Sequence, residues 1–187
     1  MLLKALLVVV IPVAALVIGL VCLQRFDPNQ DIQKRAKALS LTPLNQRWGY
    51  TADEAHTYWQ KLQSNPGKDL LPVERLMLTA DLAYPFLYGG GFAVALLIAW
   101  WALGCTFSPL WLLAPVFAMV AADWTENLVQ LGQIGRLTAS PDAALSTGWM
   151  RLASAATMAK LVFLGVCSIL TVGAAVCLVW LHFHRRS

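Results

Sequence analysis

"PLWLLAPVFAMVAADWTENLVQ", residues 109–130, decides how this chain folds. Residues 109–122 carry no charge and are apolar enough to lie in lipid. Asp123, Glu126 and Asn127 then follow at i, i+3 and i+4, on one side of a helix. Inside a bilayer an ionisable side chain costs roughly 2.5–3.5 kcal/mol on insertion scales. The stretch therefore predicts a membrane-spanning helix and asks what offsets the cost of its acidic end.

The rest of the chain has the same character. Of 187 residues, 58% are hydrophobic and only 13% charged. A soluble domain carries about 25% charged residues. Four runs are long enough to cross a hydrocarbon layer about 30 Å thick. They cover about 2–23, 76–103, 109–131 and 153–182. The fold expected is an all-α membrane protein, an up-down bundle of four transmembrane helices forming one domain over 1–187.

The first run competes with a signal peptide, because Lys4 precedes it. It exceeds the ~7–15 apolar residues of such a leader, and no A-x-A site follows, so an uncleaved helix is expected. The second run starts after Pro72, and its first turns should project into the interface. Pro85 and Gly89–Gly91 should bend or loosen it, or let helices pack closely. The short uncharged link "LGCTFSP" makes the second and third spans a hairpin.

The only sizeable extramembrane part is about 25–71. In it, "TADEAHTYWQKLQSNPG" predicts one short helix. Thr51 and Glu54 have capping-box spacing, and Asn65-Pro66-Gly67 ends the segment. Ala55, Tyr58, Trp59 and Leu62 share a face, which should cap the bundle or lie on the membrane. The charge count puts most Lys and Arg in this loop, favouring a cytoplasmic loop and external termini; the short N-terminus with one Lys fits the reverse.

Several chemistries find no support. The net charge of +4 is spread out, with no basic stripe, so no nucleic-acid partner is expected. Cys22, Cys105, Cys167 and Cys177 form no CxxC pair and read as small hydrophobes. No metal site is expected, nor any cofactor: HExxH, a phosphate-binding glycine loop and CxxCH are all missing. His56 reads as a solvated loop residue, and His182 and His184 as part of a headgroup-binding tail.

What remains is a polar constellation. Asp81, Asp123, Glu126 and Lys160 each fall within roughly 5–12 Å of the same interface at 1.5 Å per residue. Asp81, Tyr84 and Tyr88 follow i, i+3, i+7 spacing, so three spans deliver polar groups to one layer. If the faces converge, Lys160 neutralises one carboxylate and the tyrosines donate hydrogen bonds. The same residues also fit a purely structural role at helix ends, and proton handling.

"ADLAYPFLYG" in the second span, "DWTENLVQL" in the third and a Lys early in the fourth resemble a group of uncharacterised bacterial integral membrane proteins with four spans. Those carry Asp-x-x-Tyr/Phe followed by Tyr, then Asp-x-x-Glu-Asn. The resemblance covers about residues 70–165. It implies that Asp81, Tyr84, Tyr88, Asp123, Glu126, Asn127 and Lys160 form a shared core, and it implies no activity.

The expected protein is thus a multi-pass protein of a bacterial inner membrane whose polar cluster binds a lipid-like or amphiphilic small molecule, or a partner helix. An enzyme acting on a lipid or isoprenoid is the alternative, with Asp81, Asp123 and Glu126 as candidates for acid and base. Proton-coupled transport is the third reading, weakened by the lack of inverted repeats.

Overall fold

The computed structural model describes residues 1–25, 32, 34, 37–38, 41–64, 69–140 and 143–184. Among the described residues 85% are helical and none lies in a strand. The main elements are α1 (Leu2–Arg25), α2 (Ala52–Gln63), α3 (Leu71–Asp81), α4 (Tyr84–Leu103), α5 (Pro109–Ala139) and α6 (Thr147–His184), with a short 3-10 turn at Leu44–Gln46. Four stretches are long and apolar enough to cross a membrane: Leu2–Cys22, Leu71–Leu103, Pro109–Ala139 and Thr147–His184.

The second stretch is two helices rather than one bent helix. Pro85 has no N–H to give the carbonyl four residues back, that of Asp81, and its ring crowds that carbonyl. The helix breaks there. Leu82 and Ala83 turn through tighter bonds, Leu82 N–H to Thr79 O and Ala83 N–H to Ala80 O. The Trp124 indole N–H donates to Leu82 O at 3.0 Å, closing a carbonyl at the break.

The third and fourth helices run past their expected limits, 131 and 153. At 1.5 Å per residue, α5 and α6 are about 46 and 57 Å long, well beyond a 30 Å hydrocarbon layer. The extra turns have apolar work to do. Ile134 and Leu137 of α5, and Met150 and Ala153 of α6, are buried in one cluster. The start of α6 is tied down by the Ser146 N–H, which donates to Gln133 Oε1 at 2.9 Å.

The chain divides into two compact units. The first comprises Met1–Leu20, Tyr84–Ala121 and Lys160–Ser187. It is a bundle of apolar segments from α1, α4, α5 and α6. One cluster joins Tyr88, Phe92, Val116, Met119 and Cys167, with Leu16 against it. Another joins Ala5, Val8, Ala99 and Leu178. Close approach depends on glycine: a Cβ on Gly91 would sit 2.7 Å from Ala15 Cβ and 3.3 Å from Pro12 Cα. Gly89 faces Val120 in the same manner, while Gly90 has open space. Close packing is therefore the use made of Gly89 and Gly91. At the start of α1, Lys4 Nζ lies 3.8 Å from the Trp101 ring centre.

The second unit comprises Val21–Ala83 and Ala122–Ala159. Its core is built around α2. Ala55, Tyr58, Trp59 and Leu62 are buried, as their spacing required. They pack with Leu70, Leu71 and Leu78, and with the α5 and α6 residues named above. The capping box is complete: Thr51 Oγ1 accepts from the Glu54 N–H, and Glu54 Oε2 accepts from the Thr51 N–H at 2.7 Å. The expected stop at Asn65-Pro66-Gly67 lies outside the described residues.

That box makes a pH prediction. Donation from the Thr51 backbone N–H, then from its hydroxyl, holds the Glu54 carboxyl below its ordinary 4.5. A depressed folded value contributes stability that is present above the unfolded value and lost as pH falls through the folded one. Limited proteolysis of α2 should therefore accelerate as pH drops below about 4.5. Glu54→Gln should lose this dependence while keeping the box, and Thr51→Ala should weaken α2 by about 1 kcal/mol at neutral pH. An unchanged pH profile in Glu54→Gln would remove the assignment.

Candidate functional site

The inner face of α5 is polar for most of its length in the second unit. Asp123, Glu126, Asn127, Gln130 and Gln133 are all buried. Their spacing of three and four residues makes one continuous stripe. Such a stripe is tolerable in a core only when its members find hydrogen-bond partners.

Most of the partners are visible. The Asn127 amide donates from Nδ2 to Asp81 Oδ2 at 3.1 Å, linking α5 to the last residue of α3. Gln130 Nε2 donates twice, to Glu126 Oε1 at 3.1 Å and to the Tyr50 hydroxyl at 2.7 Å. The Tyr50 N–H donates in turn to Ser154 Oγ of α6 at 2.9 Å. A connected path thus runs from Glu126 through Gln130 and Tyr50 to Ser154. Asp123 is 2% exposed and lies one turn before Asn127.

One acceptor in this stripe is left over. Asn127 is fully buried, and its Oδ1 has no hydrogen-bond partner among the described residues. The contact with Asp81 fixes the amide's sense, since turning it over would set oxygen against carboxylate. Oδ1 therefore retains its full capacity to accept.

A second set of unmatched groups lies on α2. Tyr58 and Trp59 are buried, yet the Tyr58 hydroxyl and Trp59 Nε1 have no partner among the described residues. Burial pushes the Tyr58 phenol up, and the Glu74 carboxylate pushes it the same way, so it stays a neutral donor. His56 is half-buried rather than solvated, with Nε2 enclosed and unpartnered among the described residues.

The sequence candidates fall in both units. Asp81, Asp123, Glu126 and Asn127 belong to the second, where Asp81 and Asn127 touch directly. Tyr84, Tyr88 and Lys160 belong to the first. There Tyr84 and Tyr88 pack edge to face with ring centres 4.9 Å apart, and the Tyr84 hydroxyl donates to Leu16 O of α1 at 3.3 Å. Lys160 is half-buried on α6.

Sequence reading missed Tyr50, Glu74, Gln130 and Gln133. For the two glutamines a signal existed: 123, 126/127, 130 and 133 continue one periodicity, and every position is polar. Tyr50 had none, since it sits in a loop and reaches α5 only through the fold. Among the described residues, no three His, Cys, Asp or Glu are placed to hold a metal ion. No protein-family model, curated protein or solved structure matches the chain.

Proposed function

We propose that this protein is a multi-pass protein of a bacterial inner membrane that binds the polar head of an amphiphilic small molecule at Asp81, Asp123, Glu126 and Asn127. One observation carries the reading: a fully buried amide oxygen, Asn127 Oδ1, has no donor among the described residues while its own Nδ2 is fixed on Asp81. An unsatisfied buried acceptor is disfavoured by about 1–3 kcal/mol, so a bound group able to donate there is stabilised. An amphiphile is the natural class because four helices are apolar enough to place the chain in lipid.

The binding reading is tested by purifying the full chain in mild detergent and identifying co-purified small molecules by mass spectrometry. A defined amphiphile should accompany the wild type at near-stoichiometric level and fall severalfold in Asp123→Asn and Asn127→Leu. Recovery of no such molecule, with no thermal shift on adding membrane lipid extract, would overturn it.

A further inference from the structure

We infer that the first unit binds the phosphate of an acidic phospholipid at Lys4, where α1 begins and α4 and α6 finish. This site is separate from the polar stripe of the second unit and does not rest on it. All ten Asp and Glu residues, and ten of the fourteen Lys and Arg, belong to the segments of the second unit. The segments of the first unit contain no Asp or Glu and hold Lys4, Lys160, Arg185 and Arg186. The whole formal charge of +4 therefore falls in the first unit. Lys4 lies in the first turn of α1, and Arg185 and Arg186 follow α6 in sequence.

Packing brings these helix ends together. Ala5 and Val8 of α1, Ala99 of α4 and Leu178 of α6 are buried in one cluster, with Met1, Leu103 and Val179 against it. The start of α5 is tied to the end of α4, because the Trp100 indole N–H donates to Phe107 O across the link at 2.8 Å. Trp101, Trp111 and Trp180 are exposed at this end. Exposed tryptophans at one end of an apolar bundle mark the level of the lipid headgroups. Lys4 sits at that level, with Nζ 3.8 Å from the Trp101 ring centre. The ring face attracts one side of the ammonium, which carries three N–H donors suited to phosphate oxygens. Leu3 and Leu6 are exposed on α1 beside Lys4 and give acyl chains an apolar surface that free phosphate cannot use. A zwitterionic head brings its own ammonium, to which the first unit offers no Asp or Glu carboxylate. A head of net negative charge is the better match.

The test uses the full chain in mild detergent and three probes: phosphatidylglycerol and phosphatidylcholine with matched acyl chains, and inorganic phosphate. Binding is followed by thermal shift and native mass spectrometry at pH 7. Phosphatidylglycerol should bind roughly tenfold tighter than phosphatidylcholine at low salt, and the gap should narrow as salt rises. Lys4→Gln should weaken phosphatidylglycerol binding about fivefold, the share of one basic residue at an anionic surface. Lys4→Arg should restore it, which separates lost charge from a damaged fold. Lys61→Gln, at an exposed position of α2 in the second unit, should leave it unchanged. Equal affinity for the two lipids would overturn the proposal, as would a preference lowered alike by Lys4→Gln and Lys61→Gln. The same shift from inorganic phosphate alone would assign Lys4 to a free anion and remove the lipid.

Discussion

Trp59→Ala should destabilise the protein by about 3–5 kcal/mol, the range for emptying a large buried aromatic site. Trp59 is fully buried at the centre of the cluster that joins α2 to Leu70, Leu78, Ile134 and Leu137. Truncation leaves a cavity that the flanking helices cannot all collapse to fill. The indole N–H has no partner among the described residues, which sharpens the prediction. Trp59→Phe keeps most of the apolar area and removes an unsatisfied donor, so its effect should be far smaller than that of Ala. Chemical unfolding in nanodiscs reads the difference, and proteolysis within α2 reports whether the helix has undocked. Equal losses for Ala and Phe would mean that the indole N–H is satisfied, by water or by a ligand, and that its bond matters more than the packing.

The second large effect is expected at Gly91. A methyl there would already lie 2.7 Å from Ala15 Cβ and 3.3 Å from the Pro12 backbone. Pro12 sits inside α1, so the obstacle is main chain, which cannot swing aside as a side chain can. Gly91→Ala should cost about 1–3 kcal/mol, and Gly91→Leu more, because α1 and α4 must separate. Gly90 is the internal control. A Cβ added there would meet nothing within 4 Å, and Gly90→Leu should stay within about 0.5 kcal/mol of the wild type. Apolar association inside lipid has little hydrophobic driving force, so lost contact distance is poorly compensated. Thermal unfolding of the three variants in the same nanodisc lipid gives the comparison. Equal stability of Gly90→Leu and Gly91→Leu would show that α1 does not rest on α4 at this point.

The two predictions concern residues of different legibility. The α2 face was readable because Ala55, Tyr58, Trp59 and Leu62 repeat at helical spacing within a polar segment, with Thr51 and Glu54 marking its start. Gly91 was readable only as one of three glycines. Which of the three meet another helix depends on how α1 and α5 cross α4, and no local property of "GGG" records that.

The four apolar stretches were likewise fixed locally. Partition into lipid depends on the summed hydropathy of consecutive residues, and 109–122 or 161–181 declares it without reference to any neighbour. Helix ends were not local in this sense. Charged and polar residues close a hydropathy window at about 131, yet α5 continues to Ala139 because Ile134 and Leu137 are buried in the core around α2. The break before Pro85 was legible as chemistry, since proline removes an amide hydrogen; that Trp124 closes the freed turn was not.

The candidate site shows the same division. Asp123, Glu126 and Asn127 announce a shared face through spacing alone, because a helix repeats every 3.6 residues. Only the folded chain sets Asp81 against Asn127 and brings Tyr50, 80 residues away in sequence, to Gln130. It also leaves the buried Asn127 oxygen without a donor among the described residues. Sequence determines which groups an element can present, since that follows from bond geometry along a single helix. Satisfaction of those groups depends on distances between helices, which no periodicity contains.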